Sequence, residues 1–285
     1  MPTDLTGRTA ELILRAALGN PMTTPMYEGW AVGNTQNLVH GIAVCYTPTL
    51  DLLRRAAAEH RTLIVSREHP FFLHGGLHYS YGTDGLADAM RDDPVVRAKR
   101  EVAATNQLMV YRCSGLWDQF RPKAQSEALA AALGLKPLAS PPTDRARGVV
   151  CDVPRTTLAA LAAKVSARRP RVVGDPANPV TRVAVLAGET DPTPALAKLL
   201  ADPKIDGIVT GAGGVVDEVD GAIGYFQDMV GSGRRIAMLA IGHGPSHYPG
   251  VAEMARYLKT VFPEQSVEYW PVPDPAWIPG VTRSN

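Results

Sequence analysis

Five residues spread along the chain carry side chains suited to holding a transition metal: Glu68, His69, Asp118, His243 and His247. Each stands in a short polar segment just after an apolar run. Arg67-Glu68-His69-Pro70 follows Thr62–Ser66, Cys113 through Asp118 follows Leu108–Arg112, and Gly242-His243-Gly244-Pro245-Ser246-His247 follows Ile236–Ile241. Imidazoles combined with carboxylates suit Zn, Fe, Mn, Ni or Co rather than Ca, which favours oxygen ligands throughout. Taken singly, each piece also has a plainer reading. Glu68-His69 reads as a loop dipeptide, and Asp118 as a helix cap or turn residue. The two histidines four residues apart, set among Gly and Pro, are the strongest chelate signal.

Other residues carry less. His74 and His78 are likewise four apart, and with Arg67, Arg112 and Tyr79 they are candidates for substrate contact. Cys113 reads as a small buried hydrophobe before it reads as a soft ligand. Thr210-Gly211-Ala212-Gly213-Gly214 is a Gly-rich turn able to hold an anion through backbone N–H groups. It lacks the Lys-Ser/Thr ending of a P-loop, and no dinucleotide fingerprint occurs.

The elements that must position these residues alternate between strand and helix. Residues 4–18 predict a helix and 19–37 a loop rich in Gly, Pro, Thr and Asn. Strands are expected at 40–46, 62–66 and 108–112, with helices at 48–60, 94–106 and 122–133. In the second half, strands at 149–153, 183–187, 207–210, 236–241 and 267–270 alternate with helices near 154–168, 192–201, 218–231 and 249–261. This order predicts an α/β chain of two similar lobes with mostly parallel sheets. The lobes are expected at 1–135 and 149–285, joined by a Pro-rich linker at 136–148. In open sheets of this kind ligands bind beyond the carboxyl ends of the strands, where the five candidate ligands stand. A metal cleft between the lobes is therefore expected.

The bulk properties narrow the function. The chain has 285 residues, 29 Lys plus Arg against 28 Asp plus Glu, and a net charge of +1. That balance argues against nucleic-acid binding driven by bulk charge. Cys45, Cys113 and Cys151 form no CxxC and no even framework, which suits a reducing compartment. The charged residues among the first 19 exclude an uncharged signal-peptide core, and no apolar run is long enough to span a bilayer. The expected location is the cytoplasm, and a small molecule is the expected partner.

The order of motifs resembles the Nif-three-like family, dinuclear-metal-centre proteins once labelled GTP cyclohydrolase type two. Gly29-Trp30-Ala31-Val32-Gly33 is similar to the family's Trp-Asp-Asn-x-Gly, and Ser66-Arg67-Glu68-His69-Pro70 to its Thr-His-His-Pro. The segment from Val110 to Asp118 is similar to its strand followed by His-Thr-Asn-Leu-Asp. Asp206 to Gly211 matches Asp-x-x-x-Thr-Gly, Gly242 to His247 is similar to Gly-His-x-x-Ser-Glu, and Asp274-Pro275 also fits. The chain departs from that pattern. Glu68 replaces the first of the paired His, Ser114 replaces the His that opens the second motif, Ala212 replaces an acidic residue, and His247 replaces the last Glu. The inventory of three His and two carboxylates is nonetheless kept, and Glu68 becomes the candidate bridge between metals.

The resemblance implies two divalent ions bound by Glu68, His69, Asp118, His243 and His247, and a ring-shaped homohexamer. Two ions about 3.5–4 Å apart can activate a water and stabilise a developing oxyanion. Glu68 or Asp118 would then take the water's proton. The expected function is metal-dependent hydrolysis of a small amide, cyclic amidine or phosphoester. The alternatives are a metal-binding or metal-handling protein without turnover, and an interaction scaffold that holds no metal.

Overall fold

The computed structural model describes residues 4–19, 28–71, 92–138, 148–165, 170–188, 194–211 and 222–273. It divides into two compact units. The first comprises residues 1–12, 24–113 and 262–285; the second comprises 13–23 and 114–261.

The first unit is built on five strands: β1 (Glu28–Val32), β2 (Ile42–Cys45), β3 (Leu63–Ser66), β4 (Met109–Cys113) and β11 (Val267–Tyr269). Their order is β1-β4-β3-β2-β11. β11, β2, β3 and β4 run parallel, and β1 closes one edge antiparallel to β4. β2, β3 and β4 are buried along their whole length, as continuous apolar runs in a parallel sheet should be. Helices α2 (Leu50–Ala58) and α3 (Pro94–Thr105) connect them. Thr49 caps α2 by accepting from the N–H of Leu52, and Leu52, Leu53 and Ala56 form its buried stripe. Asp93 caps α3 through Val95 and Val96, with Pro94 at the first helical position, where no N–H is needed.

Helix α1 (Gly7–Ala17) precedes β1. The segment 19–37, expected as loop, contains β1. Gly29 in β1 takes φ +117 and the pairing with β4 shifts between Trp30 and Val32. A short, irregular edge strand of this kind leaves little alternation to read.

The second unit holds β5 (Lys136–Pro137), β6 (Val149–Thr157), β7 (Arg171–Val173), β8 (Pro179–Leu186), β9 (Gly207–Thr210) and β10 (Ala237–Ala240). They are ordered β5-β6-β8-β9-β10-β7. The central strands β8, β9 and β10 are parallel. β5, β6 and β7 pair antiparallel around them, so this sheet is mixed. Both faces are covered. Val183, Val185, Val209 and Leu239 pack with Leu129, Leu158 and Leu161. Ala184, Ile208 and Met238 pack on the other side with Leu196, Leu199 and Phe226. The period-two alternation along each strand sends successive residues to opposite cores.

The helices of this unit are α4 (Gly115–Phe120), α5 (Ala124–Ala132), α6 (Leu158–Lys164), α7 (Pro194–Leu200), α8 (Ala222–Gly231) and α9 (His243–Val261). β6 extends beyond the residue where a helix is expected. Its extended run lasts to Thr157, whose hydroxyl accepts from the N–H of Ala160 and starts α6 there. α9 begins at His243 rather than near 249, and Pro249 lies inside it. Of the expected linker, 139–147 lie outside the described residues, and Lys136 and Pro137 pair with β6. Among the described residues no helix is long and apolar enough to cross a membrane.

Candidate functional site

The parallel strands β8, β9 and β10 end side by side, and each leads into glycine: Gly188, Gly211 and Gly242. Helix α9 starts directly after the last of these, which places His243 and His247 one turn apart on one helical face. Their rings meet edge to face with centroids 4.8 Å apart. His243 is half-buried, and His247 is 3% exposed.

The surrounding contacts hold this pair closely. The Ser246 hydroxyl accepts from the Gly188 N–H at 2.9 Å and donates to the His243 carbonyl at 2.6 Å. It thereby ties the end of β8 to the first turn of α9. Ser126 of α5 accepts from the Ala187 N–H at 3.1 Å. Nδ1 of His247 lies 3.3 Å from the Gln125 side-chain oxygen, also on α5. Glycine is required at both strand tips. A Cβ on Gly188, whose φ is +86, would stand 2.7 Å from Nε2 of His247. A Cβ on Gly211 would press on the Gly188 carbonyl and on Oγ of Ser246. Both nitrogens of the His247 ring thus face features built by neighbouring elements.

Asp118 lies in the first turn of α4, half-buried. Its N–H bonds to the Ser114 carbonyl at 3.0 Å.

Glu68, His69, Arg67 and Arg112 belong to the first unit. The N–H groups of Arg67 and Glu68 bond to the carbonyls of Cys45 and Tyr46, carrying the pairing of β2 and β3 one step further. The Glu68 carboxylate is buried and accepts from Nη2 of Arg112 at 3.3 Å. Nε of Arg67 lies 4.0 Å from its other oxygen. Arg112 also donates through Nε to the Arg67 carbonyl. Nδ1 of His69 accepts the Phe71 N–H at 3.2 Å, so a neutral His69 carries its hydrogen on Nε2. Lys99 of α3, 2% exposed, donates to the Pro70 carbonyl. Burial lowers the pKa of its ammonium, partly offset by the nearby Cys45. Burial likewise pushes the Cys45 thiol well above its usual range.

Of the five expected ligands, His243 and His247 come together. Among the described residues no three His, Cys, Asp or Glu side chains are grouped as a metal would need. His74, His78 and Tyr79, and Ala212 to Gly214 of the Gly-rich turn, lie outside the described residues. The sequence reading passed over Gln125, Ser126, Ser246 and Lys99. A signal for the first two existed: Gln-Ser stands in an Ala-rich helix where apolar residues would suffice for packing.

This arrangement can be set beside known proteins. Among curated proteins none matches the chain. Solved structures match over nearly their whole length, among them the following. The hypothetical protein SA1388 of Staphylococcus aureus gives a TM-score of 0.68 at 16% identity, covering 97% of this chain and 100% of that one. The Bacillus cereus protein related to NIF3 gives 0.68 at 14%, covering 97% and 100%. Reduced HcgD from Methanocaldococcus jannaschii gives 0.60 at 15%, covering 94% and 98%. At such identities the likeness establishes the fold. The model of the family Duf34/NIF3 (NGG1p interacting factor 3) matches residues 25–275, and the chain belongs to that family.

Proposed function

We propose that the chain binds a divalent transition metal through His243 and His247 and hydrolyses a small molecule there. One observation carries this reading: two imidazoles, one turn apart, stand at the carboxyl edge of β8, β9 and β10, and His247 is backed by the Gln125 carbonyl. A second group that holds the far nitrogen of an imidazole is the usual support of a metal-binding histidine. The donor set suits Zn, Fe, Mn, Ni or Co. The residues of the first unit fit a metal less well. The Glu68 carboxylate faces Arg112, and Nδ1 of His69 takes a backbone N–H. We therefore rest the proposal on the imidazole pair.

A bound ion of this kind would supply a water acidified toward neutral pH and a positive charge for the developing oxyanion. The chain's own residues would do the rest. Ser246 fixes the turn that presents His243, and Gly188 packs closely beside the His247 ring, where a larger residue would press on Nε2. Asp118 offers a half-buried carboxylate as proton acceptor.

A second reading has a specific observation behind it. Catalytic sites commonly use about three protein ligands, and the described residues bring together two. A metal-binding or metal-handling protein without turnover follows if that count is complete.

Metal titration with elemental analysis, followed by a hydrolysis panel of amides, cyclic amidines and phosphoesters, tests both. Retained metal in wild type, lost in His243→Ala and in His247→Ala, together with turnover, supports the hydrolase. Full occupancy without turnover supports metal handling. Two ions per chain would support the two-ion centre that the family resemblance implies. No divalent ion in wild type, or unchanged occupancy in both variants, overturns the metal reading. Sedimentation of the purified protein tests the homohexamer that the family resemblance implies, and a monomer mass overturns it.

A further inference from the structure

Resting on the reading that His243 and His247 hold a metal, we propose that Gln125 is a positioning residue. It fixes His247 as the Nδ1–H tautomer and so leaves Nε2 as the donor atom. A neutral imidazole has one N–H, and the group facing one nitrogen decides which nitrogen keeps a lone pair. The Gln125 oxygen lies 3.3 Å from Nδ1 of His247, and an amide oxygen can only accept. With that oxygen as acceptor, the hydrogen sits on Nδ1. Both residues are buried, Gln125 at 6% and His247 at 3% exposure, so water does not compete freely for that nitrogen.

Two features set the Gln125 amide in this orientation. A Cβ on Gly250 would stand 1.8 Å from Oε1 of Gln125 and 2.9 Å from its Cα. One Cα hydrogen of Gly250 therefore points at the amide oxygen, a weak but favourable contact that an NH₂ group there would replace with opposed hydrogens. In addition, Ser126, the next residue of α5, is bonded to the Ala187 N–H, which holds the helix in place against the end of β8.

The cost of this amide points the same way. Among the described residues Nε2 of Gln125 has no hydrogen-bond partner. A buried amide donor left unsatisfied is unfavourable, whereas a methionine would fill the same space without that penalty. Packing alone does not call for glutamine; an acceptor aimed at His247 does. On the other side of the ring Gly188 packs close to Nε2, where a Cβ would stand at 2.7 Å.

Long-range 1H–15N correlation spectra of the metal-free full chain, above the imidazole titration range, test the inference directly. The His247 signals are assigned by their loss in His247→Ala. Wild type is expected to show the hydrogen on Nδ1, and Gln125→Glu, which keeps an acceptor, to show the same. Gln125→Met is expected to move the hydrogen to Nε2 and to weaken Zn²⁺ binding about 10–100-fold, with Gln125→Glu restoring it. A wild-type His247 protonated on Nε2, or a tautomer unchanged in Gln125→Met, overturns the proposal. If Gln125→Met does not fold, the wild-type and Gln125→Glu spectra decide. If the spectra behave as expected while Zn²⁺ fails to bind, the tautomer assignment stands and the metal reading falls.

Discussion

Gly188 and His247 are held so close that a Cβ on residue 188 would stand 2.7 Å from Nε2 of the imidazole. Gly188→Ala therefore meets two obstacles: its φ of +86, which an L side chain rarely adopts, and the ring itself. Gly19 serves as an internal control, because its φ is +80 and nothing lies within 4 Å of a Cβ built there. Gly19→Ala is expected to lose about 1 kcal/mol in urea unfolding. Gly188→Ala is expected to lose clearly more and, in addition, to weaken metal binding. Equal losses in the two variants would show that the ring does not occupy that space.

The Glu68 and Arg112 side chains are nearly excluded from water and meet at 3.3 Å. Removing one member of a buried ion pair costs about 3–5 kcal/mol, whereas replacing both by neutral groups is far milder. Glu68→Gln and Arg112→Met should each lower the stability of the metal-free protein by an amount in that range. The double variant should recover a large part of the loss. If metal-free Glu68→Gln is as stable as wild type, the carboxylate is not held by Arg112 in solution.

Lys99 gives a pH dependence with a definite sign. Its pKa is lowered from 10.5, chiefly by burial, so the folded protein releases this proton at a lower pH than the unfolded chain does. Between those two values the unfolded state binds more protons, and stability gains with rising pH. Below the folded value the full cost of a buried ammonium is present. Lys99→Met has no such cost. The stability of wild type relative to Lys99→Met should therefore improve as pH rises toward 10.5, as read from paired urea curves at successive pH values. A difference that stays flat would place the ammonium in contact with water.

The cysteines should be silent toward thiol reagents. Cys45, Cys113 and Cys151 are all buried, and no disulfide joins any two of them. Burial pushes the Cys45 thiol up strongly and moves Cys151 to about 11, with Asp152 adding to the latter. Alkylation by iodoacetamide at neutral pH should modify none of the 3 in the native protein and all of them in denaturant. Rapid native labelling at Cys45 would contradict its burial between the sheet and α3.

The parallel strands were readable in the sequence because they are buried on both faces and appear as unbroken apolar runs, as in Ile42–Cys45 and Ala237–Ala240. β1 and β7 were not readable. Each is a short edge strand, and β1 carries a left-handed glycine. The spacing of His243 and His247 suggested neighbouring imidazoles, and α9 brings the two rings together by starting at His243 rather than near 249. The engagement of Glu68 by Arg112 could not be read. It depends on β3 and β4 pairing Ser66 with Arg112, a register that no local spacing encodes. The role of Gln125 was hidden for a similar reason, because its partner lies 122 residues away.

β11 has a consequence for the order in which the chain acquires structure. Its partner β2 lies more than 200 residues earlier, with the whole stretch 114–261 of the second unit between them. During synthesis that intervening stretch leaves the ribosome before the strand that borders β2 has been made. Domains generally fold as they emerge, and closing a long loop becomes less unfavourable once its interior is already compact. The portion of the protein made first is thus finished last, and until Val267–Tyr269 arrives the open edge of β2 is a strand awaiting a neighbour.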